Sequence, residues 1–295
     1  MFIKAIKINH TLLLVIIFLL FVSSFLLCYT YQAKNKEEFP TSAQVEEIKL
    51  PIIMYHGILK DTSRSGKYVV TPNTLKQDLE YISSKGYTTI TMKNLIGYAY
   101  DDEPLPQKPI IITFDDGDYN NYGYAVPILK ELNMKAVFSI VGEYTDRYSK
   151  TGETNLNYSY MRWEDIKNAM EEGIIEFQNH SYALHSNTKG RNGSMKKIGE
   201  SLEEYQKMLT SDLMKLQNEF KENTNYVPNT YTYPFGAISK ESINIIKEIG
   251  FKASLSCSSG VNIITKDKNC LYLLKRNNRA SGISREKFFE KLLDI

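Results

Sequence analysis

Histidine and tryptophan are scarce in this chain of 295 residues, which holds four histidines (His10, His56, His180 and His185) and one tryptophan. Its three cysteines, Cys28, Cys257 and Cys270, lack the short paired spacing of a structural zinc site and are too few for a disulfide scaffold. Neither sign of charge dominates: 36 basic against 34 acidic residues leave +2, which removes the electrostatic reason to expect a nucleic-acid partner. Internal repeats and low-complexity tracts are absent. A long apolar run occurs once, at residues 11–29.

That run is what the N-terminus offers. Lys4 and Lys7 precede it and no acidic residue occurs before Glu37. About 19 apolar residues with a basic flank predict a single-pass signal anchor, with residues 1–10 cytoplasmic and the rest outside the cytoplasm, at the cell membrane. A cleaved signal peptide, giving a secreted protein, is the rival, but no small-x-small site follows. Bulky Leu27 before Cys28 argues against a lipoprotein site. Residues 30–49 are polar and charged, a tether, and 50–295 form one domain whose chemical motifs lie within 109–295. Outside the cytoplasm Cys257 and Cys270 are free to pair, which the sequence leaves open.

Short apolar, β-branched stretches at 50–55, 87–92, 110–114, 136–141, 174–177, 231–233 and 251–255 alternate with helical patterns at 72–85, 122–132, 163–172, 198–220 and 239–249. Strands alternating with helices imply an α/β fold with a parallel sheet, and about seven units suggest a distorted (β/α) barrel in a single domain. His56, Asp115, Asp116, His180 and Tyr233 each follow a strand. In such a barrel that gathers them on the C-terminal face, where active sites form.

The apolar run at 109–112 ends in Thr113-Phe114-Asp115-Asp116-Gly117. Two carboxylates at the end of a buried strand are costly to desolvate unless used, although Asp-Asp-Gly is also good turn chemistry. His180 and His185 are five apart, a spacing for a loop curling round an ion rather than for a helix face. Asp116, His180 and His185 make a three-ligand set for a divalent metal, zinc in the first place, with cobalt or nickel as alternatives. Asp115 stays free as a base. His56 reads as a general acid, its alternatives being a third imidazole ligand and a structural role under a loop. Tyr231 to Gly236, with Pro234 and Phe235 between, is either a shaped loop that aims the Tyr233 backbone N–H at an oxyanion or an aromatic turn.

These motifs resemble those of the polysaccharide deacetylases, carbohydrate esterase family 4 with its NodB-homology domain, over the span from about Leu50 to the C-terminus. TFDDG at 113–117, the histidine pair and Tyr-Pro-Phe-Gly at 233–236 are similar to the family's first three motifs. The wider histidine spacing, with Tyr55-His56-Gly57 near the domain start, is similar to the biofilm poly-N-acetylglucosamine branch. The resemblance implies metal-dependent removal of N-acetyl groups from an acetylhexosamine polymer, releasing acetate. It implies Asp115 as base, His56 as acid, the Tyr233 N–H at the oxyanion, and Tyr182, Pro234, Phe235 and Gly236 at the substrate. Peptidoglycan N-deacetylation, O-acetyl esterase activity and a catalytically idle carbohydrate-binding protein are the alternatives. The C-terminal histidine motif of other members is missing, as no histidine follows His185, and so is the arginine before the third motif. Arg276 or Arg279 is left to place a charge near Asp115.

Overall fold

The computed structural model describes residues 10–34, 47–188 and 190–293. The chain divides into two units, residues 1–45 and 46–295. The first contains helix α1, His10–Lys34. Among the described residues no helix is long and apolar enough to cross a membrane. Residues 1–9 and 35–46, which hold most of the expected cytoplasmic end and tether, lie outside the described residues.

The second unit contains twelve short strands among its described residues: β1 Ile48–Leu50, β2 Ile52–Tyr55, β3 Gly57–Ile58, β4 Val69–Val70, β5 Thr88–Thr89, β6 Pro109–Phe114, β7 Ala136–Ile140, β8 Ile175–Asn179, β9 Thr230–Thr232, β10 Ala253–Leu255, β11 Asn262–Ile264 and β12 Asn277–Asn278. Its helices are α2 Pro72–Ser84, α3 Met92–Asp101, α4 Val126–Glu131, α5 Gly142–Thr151, α6 Trp163–Glu171, α7 Leu202–Thr224, α8 Ser242–Ile249 and α9 Arg285–Phe289. Seven strands form one parallel path, in the order β10-β9-β8-β7-β6-β2-β12, with β5 beside the start of β6. The segment entering β12 hydrogen-bonds back to the end of β10: Ser256 N–H donates to Leu274 O at 2.9 Å and Leu274 N–H to Ser254 O at 2.8 Å. The sheet therefore curls and meets itself through irregular backbone, a distorted barrel of seven strands.

Central strands are buried on both faces, so their sequences run apolar without a polar phase. Period-two alternation nonetheless sorts the side chains. Ile110, Ile112, Phe114, Phe138 and Phe177 join one hydrophobic cluster with the helices, and Ile52, Ile111, Val137, Ala253 and Leu255 join another. Toward the C-terminal strand ends this second phase turns polar: Thr113 Oγ1 bonds Ile53 O at 3.0 Å, and Ser139 and Thr232 hydroxyls meet at 2.7 Å. Counting on by twos from Ile52 reaches His56, from Ile111 reaches Asp115, and from Gln178, which lies in register with Ser139, reaches His180. The pleat itself thus brings three functional groups to one face.

The expected strand at 87–92 is only Thr88–Thr89, because Thr91 caps α3: its Oγ1 accepts from Asn94 N–H while Asn94 Oδ1 accepts from Thr91 N–H. Helices α3, α5 and α9 were not expected from the sequence. Pro51 splits the expected 50–55 strand, and β1 pairs antiparallel with β11 instead.

Candidate active site

Asp115 continues the sheet, its N–H bonding Tyr55 O at 3.0 Å, and the chain then leaves it through Asp116 at φ 71° and Gly117 at φ 80°. A left-handed aspartate costs about 1–2 kcal/mol, and Gly117 is required because a Cβ there would press to 3.0 Å against Ile140. The turn separates two neighbouring carboxylates into different roles. On the adjoining strand end His180 anchors its N–H to Ile140 O, and Ser181, also left-handed at φ 72°, bends the chain back toward His185.

Asp116 Oδ1 lies 3.0 Å from His185 Nε2 and 3.4 Å from His180 Nε2. One ligand atom from each of the three residues falls within 4.8 Å of the others. His180 Nδ1 sits 2.8 Å from Thr232 O, to which it must donate, and in the neutral ring this leaves the lone pair on Nε2. Asp116 Oδ1 is buried and has no hydrogen-bond partner among the described residues. An orphaned carboxylate oxygen facing two imidazole nitrogens is the donor set of a divalent cation. Burial opposes ionisation of Asp116, but the two imidazoles outweigh it and hold the carboxyl well below the usual range. His185 is held up: burial lowers it, and Asp116 more than compensates.

Asp115 is gripped separately. Arg276 Nη1 and Nη2 donate to its two oxygens at 2.6 and 2.8 Å, while Arg276 Nε bonds Ser256 O at 2.9 Å, all of it buried. Burial would raise the Asp115 carboxyl; Arg276, His180 and His56 overcome it and keep the group ionised. His56, at the end of β2, has a buried Nδ1 with no partner. Burial lowers its pKa, partly offset by Asp115 and Asp116, so the imidazolium gives up its proton more readily than a free one. The exposed Tyr68 ring stands edge-on to it at 4.8 Å.

The third loop departs from expectation by two residues. The Tyr233 N–H donates to Leu255 O at 3.1 Å, within the ladder between β9 and β10, and the Tyr233 hydroxyl meets Ser242. It is therefore committed to the sheet and is not an oxyanion donor. Phe235, left-handed at φ 59°, half-exposed and 4.4 Å from the His185 ring, carries an N–H that no acceptor takes among the described residues. Gly236 is needed because a Cβ would come within 2.7 Å of Cys257 Cβ.

A family model for polysaccharide deacetylases matches residues 102–254, just over half of the chain. The chain belongs to the polysaccharide deacetylase family. It is 24% identical over 255 residues to a poly-beta-1,6-N-acetyl-D-glucosamine N-deacetylase of Staphylococcus aureus strain MSSA476, covering 82% of each chain. A protein of the same name from Escherichia coli K12 is 20% identical over 227 residues, covering 71% of this chain but 34% of the relative, so the chain spans about a third of that protein's length. In fold it is similar to a de-N-acetylase from Aggregatibacter actinomycetemcomitans, with TM-score 0.71 at 19% identity over 83% of this chain and all of the other.

In this family frame the remaining expected residues sort differently. Of the two arginines, Arg276 holds Asp115, while Arg279 pairs with Asp78 elsewhere. Tyr182, expected at the substrate, spends its hydroxyl on Asp146 Oδ2 at 2.9 Å and lies against Gly142. That makes it a support behind the histidine loop. Cys257 and Cys270 are both free thiols, and Cys257 lies beside Arg276 at 3.9 Å. Sequence reading missed Asp118, whose Oδ2 approaches Gly57 and whose carboxyl is pushed up to about 7 by burial and by Asp116. It also missed Tyr144 and Tyr160, whose rings are tilted against each other at 4.4 Å, with Tyr144 edge-on to His185 at 6.1 Å.

Proposed function

We propose that this protein is a metal-dependent hydrolase that removes N-acetyl groups from an acetylhexosamine polymer of the poly-N-acetylglucosamine type, releasing acetate. The observation that carries this reading is the orphaned Asp116 Oδ1 facing His180 and His185 while Arg276 holds the second carboxylate apart. Asp116, His180 and His185 hold the divalent ion, zinc by donor type, which when bound supplies Lewis acidity to the acetyl carbonyl and the attacking water.

The protein's own groups carry the protons. Arg276 occupies one lone pair on each Asp115 oxygen, so a second on each remains to take a proton from water as it attacks the acetyl carbon. The carbonyl π electrons move to oxygen, where the Phe235 N–H donates to the negative charge. Collapse breaks the carbon–nitrogen bond, and His56 protonates the departing sugar amine. Pro234 and Gly236 shape that loop toward the substrate. The polar tether and the apolar segment at 11–29 support a single-pass anchor that holds the domain, residues 50–295, outside the cytoplasm beside an extracellular glycan.

Acetate release from poly-N-acetylglucosamine oligomers, peptidoglycan fragments and an O-acetylated glycan, assayed on metal-loaded protein, tests the reading. Preferential release from the first supports it. Preference for either of the others reassigns the substrate, and metal binding with no release from any would make this a glycan-binding protein.

A further inference from the structure

The two histidine ligands sit on either side of four residues, 181–184, whose backbone is accounted for almost atom by atom. Ser181 N–H donates to Asn179 Oδ1 at 2.8 Å, and Leu184 N–H to Ser181 Oγ at 3.2 Å. Between them, Tyr182 N–H and Ala183 N–H donate to the two oxygens of a single carboxylate, Asp212 Oδ1 and Oδ2, at 2.8 and 2.9 Å. On the carbonyl side, Ser181 O and Tyr182 O accept from Gly142 and Glu143 at the start of α5, and His185 O accepts from the Tyr144 hydroxyl. The loop is suspended between α5 and α7, and among the described residues Asp212 is the only side chain of another element that holds its backbone at the midpoint.

We infer that Asp212 is a positioning residue for the metal centre, clamping the backbone between His180 and His185 so that both Nε2 atoms face Asp116. This rests on the proposed metal site. A loop of this length leaves its second imidazole free to swing, because no helix fixes the spacing. Two N–H groups held by one carboxylate remove that freedom, and a partner behind the ligands of this kind tunes metal affinity without touching the ion. The arrangement of Asp212 is not that of a solvated helix face. It is partly buried, burial pushes its carboxyl up to about 6, and Lys215, the cation nearest on its own helix, is turned 3.5 Å over the Tyr182 ring. Asn cannot replace it, since an amide has one acceptor oxygen and would point N–H at N–H.

The test is zinc titration of metal-stripped full-length protein by calorimetry, wild type against Asp212→Asn and Asp146→Asn. Asp146 bonds the Tyr182 hydroxyl and Trp163 Nε1 but no atom of the loop backbone, so it reports general loosening around Tyr182. Asp212→Asn is expected to weaken zinc binding about 10–100-fold, with thermal melting of the metal-free protein nearly unchanged, while Asp146→Asn stays within about threefold of wild type. Wild-type zinc affinity in Asp212→Asn, with binding lost in His185→Ala, overturns the inference. Should Asp212→Asn fail to fold, amide exchange in the metal-free wild type decides: slow exchange at Tyr182 and Ala183 supports the clamp, and unprotected exchange there overturns it. A wild type that binds no zinc sinks the functional reading, and the exchange measurement then judges the clamp alone.

Discussion

Two buried aspartate–arginine pairs lie three residues apart along the C-terminal segment and do different things. Arg276 and Asp115 lie beside the Asp116, His180 and His185 cluster, while Arg279 holds Asp78 of α2 through Nε at 2.8 Å and Nη2 at 3.3 Å. Arg279 spends its remaining donor on Ala280 O and Ile283 O, and Tyr55 adds a hydroxyl to Asp78 at 3.0 Å, so that pair is closed on itself. Asp115 is left with lone pairs in the neighbourhood of His56 and His180. The carboxyls respond in opposite directions. Burial wins at Asp78, raising it despite Arg279 and Tyr55, whereas at Asp115 Arg276 and the nearby imidazoles win and lower it. An ion pair in a core is therefore no signal of function by itself; the neighbours decide whether it braces the fold or poises a base.

The widest separation between the pairs is expected in turnover. Asp115→Asn should retain zinc but lose about 10³-fold or more of acetate release, whereas Asp78→Asn should change turnover per folded molecule by no more than about twofold. Equal losses would abolish the distinction. Stability comes next and runs the other way. Arg279→Met, which leaves Asp78 buried and unpaired, should cost about 3–5 kcal/mol in urea unfolding, and adding Asp78→Leu should restore most of it. His56→Ala should reduce kcat about 10²-fold with the zinc affinity intact, checked by steady-state kinetics beside calorimetry.

The smallest effect is in acid. A lowered folded pKa means that Asp115 contributes stability present above its unfolded value near ~3.9 and lost as pH falls through the folded value. A raised folded pKa means that the contribution of Asp78 is complete below ~3.9 and lost as pH rises through the folded value. Unfolding midpoints of metal-free protein between about pH 6 and pH 3 should therefore fall less steeply in Asp115→Asn than in wild type, and more steeply in Asp78→Asn.

Much of the candidate site's grouping was legible because its residues sit at the ends of neighbouring strands. His56, Asp115 and His180 share the inward phase of a parallel sheet, so finding the strands nearly finds the site. What the sequence hides is partnership at long range. Arg276 and Arg279 look alike in sequence, and only the return of β12 beside β2 assigns each its aspartate. Tyr233 was a register error: the ladder with β10 consumes its N–H, and the free donor is two residues later, where the backbone turns left-handed. Asp212 stands mid-helix in α7, indistinguishable in sequence from a solvated acid until the histidine loop is seen against it. Helix α3 was lost to β-branched Thr88, Thr89 and Ile90, which masked the capping threonine that follows.

Metal content measured together with acetate release in wild type, Asp116→Ala and Asp115→Asn tests the central claim most directly. About one tightly held ion per wild-type chain is expected, none in Asp116→Ala, and a full complement with almost no acetate release in Asp115→Asn. An ion retained by Asp116→Ala, or wild-type release from Asp115→Asn, would contradict it.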